Sequence, residues 1–127
     1  MPADRLLIVE DEKAFATFVS GVAAGVGYEV RSVEQLSDIE FNLSHWQPSV
    51  VFLDIFMPER DGLELLGALE RKKFDGQLVL MSGADELYLN MAAASAKVRG
   101  LRLGAVLRKP CRKRELEDLL RSLSATA

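Results

Sequence analysis

The stretch Val50-Val51-Phe52-Leu53-Asp54 (residues 50–54) places an acidic side chain directly after four consecutive apolar ones. Two similar apolar runs are Leu6-Leu7-Ile8-Val9 and Leu78-Val79-Leu80-Met81. Unbroken apolar runs of this length are typical of parallel strands that are covered by helices on both faces. These three runs are therefore predicted to form the centre of one parallel sheet, with Asp54 at the end of its strand.

Weaker patterns predict the two edges of this sheet and the helices between its strands. Tyr28-Glu29-Val30-Arg31 alternates as a half-exposed edge strand does, and Ala105-Val106-Leu107 is a shorter apolar run at the other edge. The intervening segments carry apolar residues at helical spacing. In the fourth segment, the stripe predicted to face inward is Leu87, Met91, Ala94 and Val98, with Gly100 as the stop. The prediction is an α/β fold, a doubly wound five-stranded parallel sheet with five helices.

Composition and charge restrict the classes of function. The 127 residues contain no linker, repeat or low-complexity tract, so residues 1–127 are predicted to form a single domain. A formal net charge of −3 gives no basic field for direct nucleic-acid binding. No apolar run approaches the roughly 20 residues that cross a bilayer, so no membrane association is expected. Cys111 is the single cysteine, which excludes an internal disulfide and indicates a reducing, cytoplasmic setting.

Polar residues directly follow three of the predicted strands: Glu10 and Asp11 the first, Asp54 the third, and Ser82 with Gly83 the fourth. The fifth strand runs into Lys109. In doubly wound sheets the working crevice lies outside the carboxyl ends of the strands, so we expect them to converge there. Each alone has an ordinary interpretation: acidic residues start helices, and a lysine is most often solvated. Their joint occurrence at one sheet edge indicates a site.

The chemistry of such a site follows from its charges. Clustered carboxylates repel one another unless a proton or a cation neutralises them. Two carboxylates with a backbone carbonyl and water suit Mg²⁺ better than a soft metal. Lys109 can neutralise a phosphoryl oxygen, and the Ser82 hydroxyl and the Gly83 amide can donate to others. Asp54 as a carboxylate nucleophile, together with Mg²⁺ and a lysine, supplies the groups that phosphoryl transfer needs.

The sequence resembles the receiver domains of bacterial response regulators in two-component signalling. The matching pieces, in the order of the family, are Leu7-Ile8-Val9-Glu10-Asp11-Glu12, Leu53-Asp54-Ile55-Phe56-Met57-Pro58, Asp61-Gly62, Met81-Ser82-Gly83-Ala84 and Leu107-Arg108-Lys109-Pro110. The resemblance implies a flavodoxin-like fold with strand order 2-1-3-4-5. It also implies a cis peptide bond between Lys109 and Pro110.

The same resemblance implies a role for each residue of the site. Asp54 would be the phosphoacceptor, and Ser82, Gly83 and Lys109 would bind the phosphate. The ligands of Mg²⁺, or of Mn²⁺ in its place, would be Asp11, Asp54 and the Phe56 backbone carbonyl, with Glu10 acting through water. The protein would then be no enzyme beyond self-phosphorylation from small phosphodonors and self-dephosphorylation.

The partners implied by the resemblance lie upstream and downstream of Asp54. A sensor histidine kinase or a histidine phosphotransfer protein would donate the phosphoryl group. A downstream output domain or protein would read the change through the face of the fourth helix, fifth strand and fifth helix. Self-association as a homodimer through that face is a further expectation.

The sequence departs from the family pattern at two places. Val106 stands three residues before Lys109, where receivers usually carry a tyrosine or phenylalanine that swings inward. Valine has no comparable rotamer switch. The spacing from Ser82 to Lys109 is 27 positions, longer than in most receivers, and predicts a fourth helix that extends through residues 90–99. In this region the chain looks like receivers attached to EAL-type cyclic-di-GMP phosphodiesterases.

Three other interpretations stay open at this point. A haloacid-dehalogenase-like phosphatase needs a second acid two positions after Asp54, where Phe56 stands. A flavin-binding electron carrier shares the fold class, but Glu10-Asp11-Glu12 would repel its phosphate. A pseudo-receiver would act as a phosphorylation-independent interaction module, which the missing aromatic at Val106 allows.

Overall fold

A five-stranded parallel sheet forms the centre of the computed structural model, which describes residues 4–57, 60–83 and 85–124. Its strands, numbered here along the chain, are β1 (Arg5–Val9), β2 (Glu29–Val33), β3 (Val50–Asp54), β4 (Gln77–Ser82) and β5 (Arg102–Arg108). They lie side by side in the order β2-β1-β3-β4-β5, and all pairs are parallel. The predicted doubly wound sheet and its strand order are confirmed.

Five helices cover the two faces of the sheet. They are α1 (Lys13–Gly25), α2 (Leu36–His45), α3 (Gly62–Arg71), α4 (Glu86–Val98) and α5 (Lys113–Leu123). Helices α1 and α5 pack on one face, and α2, α3 and α4 pack on the other, around two separate apolar clusters. Within the described part of the chain, none of these helices has the length and apolar character needed to cross a membrane.

The central strands are buried on both faces, which explains their unbroken apolar sequences. Leu7 and Val9 of β1 belong to the cluster under α2, α3 and α4, whereas Leu6 and Ile8 of the same strand belong to the cluster under α1 and α5. Successive side chains of a strand point to opposite faces, so both faces require apolar residues. The outer strand β2 is largely exposed, as the alternation over residues 28–31 predicted.

The prediction for the buried face of α4 was wrong. Leu87, Met91 and Val98 are 72%, 53% and 88% exposed, and Ala94 is exposed as well. The residues that α4 buries are Leu89, Ala92 and Ala96, which join the cluster with α2 and α3. Both stripes have helical spacing, and the structure buries the one with smaller side chains. Alanine lets a helix approach its neighbours closely, and close packing decides which face turns inward.

Helix α4 and strand β5 together fill most of the long spacing between Ser82 and Lys109. The helix ends at Val98, Arg99 is its C-cap, and Gly100 follows in the left-handed region with φ of 78°. The helix is thus no longer than α1, which also has 13 residues. Strand β5 takes up seven residues, more than the three that its apolar run indicated. The predicted cis peptide bond between Lys109 and Pro110 is present.

A two-residue antiparallel ladder connects β3 to α3. Phe56–Met57 pairs with Arg60–Asp61, and Phe56 lies opposite Asp61 in its register. Asp61 is also the N-cap of α3, because its Oδ1 accepts a hydrogen bond from the Leu63 amide at 2.9 Å. This ladder therefore joins the end of β3 to the start of α3.

Candidate functional site

Three carboxylates meet at the carboxyl ends of β1 and β3. Carboxylate oxygens of Glu10, Asp11 and Asp54 all lie within 4.8 Å of one another. Glu10 and Asp54 are only 1% and 4% exposed, whereas Asp11 is exposed. The arrangement follows from the register, because Val9 of β1 lies beside Leu53 of β3, so that Glu10, which follows β1, is next to Asp54, the last residue of β3. The predicted acidic cluster is confirmed.

Lys109 reaches into this cluster from the end of β5. Its Nζ lies 2.6 Å from Glu10 Oε1 and 3.3 Å from Asp54 Oδ2, and the lysine side chain is largely buried. The Lys109 amide donates to the Ser82 carbonyl at 2.9 Å, which fixes its backbone beside the end of β4. The Nζ also lies 4.8 Å from the centre of the Phe15 ring, a favourable position for a cation. One fixed ammonium thus partly neutralises two buried carboxylates.

The crowding of charges changes how these groups bind protons. Burial, reinforced by contact with Asp54, raises the pKa of Glu10 to about 7, although Lys109 and the Glu12 amide act in the opposite direction. Burial alone would lower the pKa of Lys109, but Glu10 and Asp54 together raise it above its ordinary value. Lys109 therefore stays cationic at neutral pH, and the carboxylates beside it are short of positive charge.

Asp54 lines a small cavity that is open to solvent. The residues around this cavity, of about 170 Å³, are Asp54, Phe56, Gly83, Asp85 and Lys109. Sites for drug-sized ligands occupy about 300–1,000 Å³, so this space suits a small anion instead. The Phe56 amide donates to Asp54 Oδ1 at 3.0 Å and holds the carboxylate in one orientation.

The remaining predicted residues lie at the same sheet edge. Ser82 is the last residue of β4, is buried, and offers its carbonyl to the Lys109 amide. Gly83 follows it in the lining of the cavity. Val106 is exposed on β5, paired in register with Leu80. The assignment of Ser82 and Gly83 as phosphate-binding groups stays a prediction.

Two further residues at the site were not predicted. Asp85 lines the cavity and is the N-cap of α4, accepting a hydrogen bond from the Tyr88 amide at 3.0 Å. An aspartate just before a helical pattern is a signal that could have identified this cap. The ring of Tyr88 lies edge-on to Phe56, with centroids 6.1 Å apart, and its hydroxyl donates to Asp61 Oδ1 at 3.2 Å. No local pattern indicates that contact, because it joins three separate segments.

The donor set at this edge fits a hard divalent cation. It offers carboxylate oxygens from Glu10, Asp11 and Asp54, and the chain continues through Phe56, whose carbonyl is a further oxygen donor. Oxygen donors of this kind suit Mg²⁺ or Mn²⁺, whereas soft metals prefer sulfur and nitrogen. Burial, with a smaller contribution from Asp54, raises the pKa of Glu10 and so disfavours its carboxylate form, and a cation bound beside it would favour that form.

Comparison with known proteins identifies relatives that share these features. The family model described as "Response regulator receiver domain" matches residues 6–121. Over 58 residues, 41% are identical to the uncharacterized transcriptional regulatory protein YvcP of Bacillus subtilis, a match to 46% of this chain and 24% of YvcP. Over 94 residues, 27% are identical to the DNA-binding transcriptional regulator NtrC of Azospirillum brasilense, 74% of this chain and 20% of NtrC.

The fold also matches solved structures along nearly its whole length. A crystal structure of a response regulator from Colwellia psychrerythraea superposes with a TM-score of 0.83 at 26% identity, covering 98% of each chain. The two curated relatives are much longer, and the match to this chain spans only about a quarter and a fifth of them.

Proposed function

Because the chain belongs to the response regulator receiver domain family, we propose that it accepts a phosphoryl group on Asp54 from a phosphohistidine donor. Members of this family are signalling modules and not enzymes in the usual sense. The observation that carries the proposal is the setting of Asp54, which is buried yet lines a cavity, with the Lys109 ammonium 3.3 Å from its Oδ2. A fixed cation beside a carboxylate offsets the repulsion between that carboxylate and an incoming phosphoryl group.

The transfer forms one bond and breaks another. An Asp54 oxygen bonds to phosphorus while the bond from phosphorus to the donor imidazole nitrogen breaks, and the departing nitrogen recovers a proton from solvent. The Lys109 ammonium neutralises charge on the phosphoryl oxygens. We assign the Ser82 hydroxyl and the Gly83 amide as further donors to those oxygens. The product is an aspartyl phosphate that lasts until water hydrolyses it.

Mg²⁺, with Mn²⁺ as an alternative, is the cation proposed for the acidic cluster. We assign Asp11, Asp54 and the Phe56 backbone carbonyl as direct ligands and Glu10 as a ligand through water. When bound, the cation supplies positive charge that offsets both the carboxylates and the phosphoryl oxygens. Lys109, already fixed between Glu10 and Asp54, adds a second positive charge on the side of β5.

The proposal is tested by incubation with phosphoramidate or acetyl phosphate and Mg²⁺, followed by measurement of the intact mass. We expect an adduct with the mass of a single phosphoryl group that is absent from Asp54→Asn. A protein that forms no adduct would instead be a pseudo-receiver that acts through binding alone.

We propose that the signal leaves Asp54 through the face formed by α4, β5 and α5. The donor would be a sensor histidine kinase or a histidine phosphotransfer protein, and the reader a downstream output domain or protein. The exposed stripe of Leu87, Met91 and Val98 on α4 supports a contact there, with such a partner or with a second copy in a homodimer. A link to cyclic-di-GMP signalling rests on the spacing from Ser82 to Lys109, and the gene sequence beyond residue 127 tests it.

Val106→Tyr should strengthen the coupling between Asp54 and this face. A tyrosine can turn between an inward and an outward rotamer as the pocket changes, whereas valine is restricted at χ1. We expect the ratio of self-association constants with and without beryllofluoride and Mg²⁺ to increase by about fivefold or more, as a coupling of 1 kcal/mol gives. Sedimentation velocity measures it, with Ser37→Tyr, which adds the same ring at an exposed position on α2 and outside this face, as the control. An unchanged ratio would mean that the missing aromatic is irrelevant.

Phe56→Asn should shorten the lifetime of the aspartyl phosphate. In hydrolysis a water oxygen bonds to phosphorus, the bond to the Asp54 oxygen breaks, and inorganic phosphate leaves. Phe56 lines the cavity beside Asp54, and we propose that its ring restricts the access of water to a phosphoryl group there. We expect the first-order decay constant in excess Mg²⁺ to rise by about tenfold, the effect of 1.4 kcal/mol on a barrier. Phe41→Asn, at an exposed ring on α2, is the control; equal decay in both variants would contradict the prediction.

A further inference from the structure

The backbone of Phe56 is fixed at the acceptor site, whereas its side chain is open to solvent. The Phe56 amide donates a hydrogen bond to Asp54 Oδ1, but the residue is 65% exposed. An aromatic side chain with that much exposure has rotamers open toward solvent. Its position over the cavity therefore depends on what packs against the ring. In the structure that neighbour is Tyr88, in the edge-to-face arrangement that aromatic pairs favour.

Tyr88 contacts both strands of the short ladder between β3 and α3. Its ring packs on Phe56, and its hydroxyl donates to Asp61, the residue opposite Phe56 in the ladder register. Burial, together with the Asp61 carboxylate, raises the pKa of Tyr88, so the phenol keeps its proton at neutral pH. A hydrogen bond to a carboxylate is stronger than one between neutral groups. The side chain is thus held at two points, which fixes the direction in which its ring faces.

The same tyrosine lies in the first turn of α4, which is itself connected to the site. Its amide is capped by Asp85, which lines the cavity. Glu86, two residues before Tyr88, forms an ion pair through both carboxylate oxygens with Arg108, which precedes Lys109 at the end of β5. A shift of this turn would therefore move the Tyr88 ring relative to Phe56. Val106 on β5 supplies no aromatic for that task.

We propose that Tyr88 is a positioning residue for the acceptor site, which holds the Phe56 ring over the cavity and so ties the lifetime of a phosphoryl group on Asp54 to the position of the first turn of α4. The inference rests on the proposed function of Asp54. It assigns the link between the pocket and α4 to a residue on α4 itself, and not to the β5 position that Val106 occupies.

A double-mutant cycle on the decay of the aspartyl phosphate tests the proposal. We expect Tyr88→Leu to raise the decay constant by about threefold to tenfold, within the range of coupling between side chains in contact. Tyr88→Phe retains the ring but loses the hydrogen bond to Asp61, so its decay constant should lie between those of the unsubstituted protein and Tyr88→Leu. In a Phe56→Asn background, Tyr88→Leu should add almost nothing, since the side chain that it positions is gone. Additive effects, or no effect of Tyr88→Leu on the decay, would overturn the inference.

A spectroscopic measurement keeps this test independent of decay rates. The chain has two tyrosines, and Tyr28 is buried with its hydroxyl on the Leu120 carbonyl, so 3-fluorotyrosine gives a reporter and an internal reference. Beryllofluoride with Mg²⁺ should shift the fluorine resonance of Tyr88 and leave that of Tyr28 in place. If beryllofluoride binds but the Tyr88 resonance does not move, the inference about Tyr88 is overturned and the proposed function of Asp54 is not. Failure of the protein to take up either a phosphoryl group or beryllofluoride would overturn the proposed function, and the inference with it.

Discussion

Asp54→Asn should abolish the phosphoryl adduct, reducing it by at least about 100-fold, on the scale of the loss of an essential catalytic group. An amide oxygen is a poor nucleophile, and an amide carries no charge to neutralise in the transfer. The substitution should leave the fold intact, because the side-chain oxygen can still accept from the Phe56 amide and Lys109 retains Glu10 at 2.6 Å. The adduct is measured by intact mass after incubation with phosphoramidate and Mg²⁺.

The stability of this variant separates a lost acceptor from a lost fold. Asp54 and Glu10 are two buried carboxylates in contact, so removal of one relieves repulsion, and the unfolding temperature should be unchanged or higher. Asp118→Asn, on an exposed part of α5, is the matched control and should form the adduct normally. An adduct that persists in Asp54→Asn would assign the phosphoryl group to another residue.

The sheet and the position of Asp54 could be predicted because both depend on short-range patterns. A strand buried on both faces must be apolar throughout, so Val50–Asp54 reveals its own end by the change from leucine to aspartate. The end of β1 is revealed in the same way, by the change from Val9 to Glu10. Parallel topology then brings these ends to one edge without knowledge of any side-chain contact.

The orientation of α4 could not be predicted in this way. Its two apolar stripes share one helical spacing, and the larger side chains of Leu87 and Met91 favour burial by their area alone. The structure instead buries Ala92 and Ala96, because the distance between α4 and its neighbours suits small side chains. That distance is a property of the assembled fold and leaves no trace in a local pattern.

The contact between Tyr88 and Phe56 was missed for a related reason. It depends on the ladder that follows β3 and on the first turn of α4, which are about 30 positions apart in the sequence. Once α4 is turned with its alanines inward, Tyr88 faces the start of α3 and meets Asp61. The misplaced stripe on α4 and the missed tyrosine are thus two results of a single wrong rotation of that helix.

Lys109→Met should have the second largest effect, on both phosphorylation and stability. Removal of a preorganised charge from a phosphoryl-transfer site costs about 100-fold to 1,000-fold in rate, so we expect the initial rate with phosphoramidate to fall by about 100-fold. Loss of one partner of a buried ion pair costs about 3–5 kcal/mol in general, but Glu10 can take up a proton, so we expect about 2 kcal/mol here. Urea denaturation in the presence of a chelator measures the free energy of unfolding.

Lys72→Met is the matched control for this prediction, because Lys72 is an exposed lysine at the end of α3, remote from the acidic cluster. It should change the free energy of unfolding by less than about 0.5 kcal/mol and leave the rate unaltered. If Lys109→Met lost stability but phosphorylated at the normal rate, the ammonium would serve only to neutralise Glu10 and Asp54 in the resting protein. Loss of rate at full stability would mean instead that its charge acts mainly on the incoming phosphoryl group. The contacts at 2.6 Å and 3.3 Å to the two carboxylates predict that both quantities fall together.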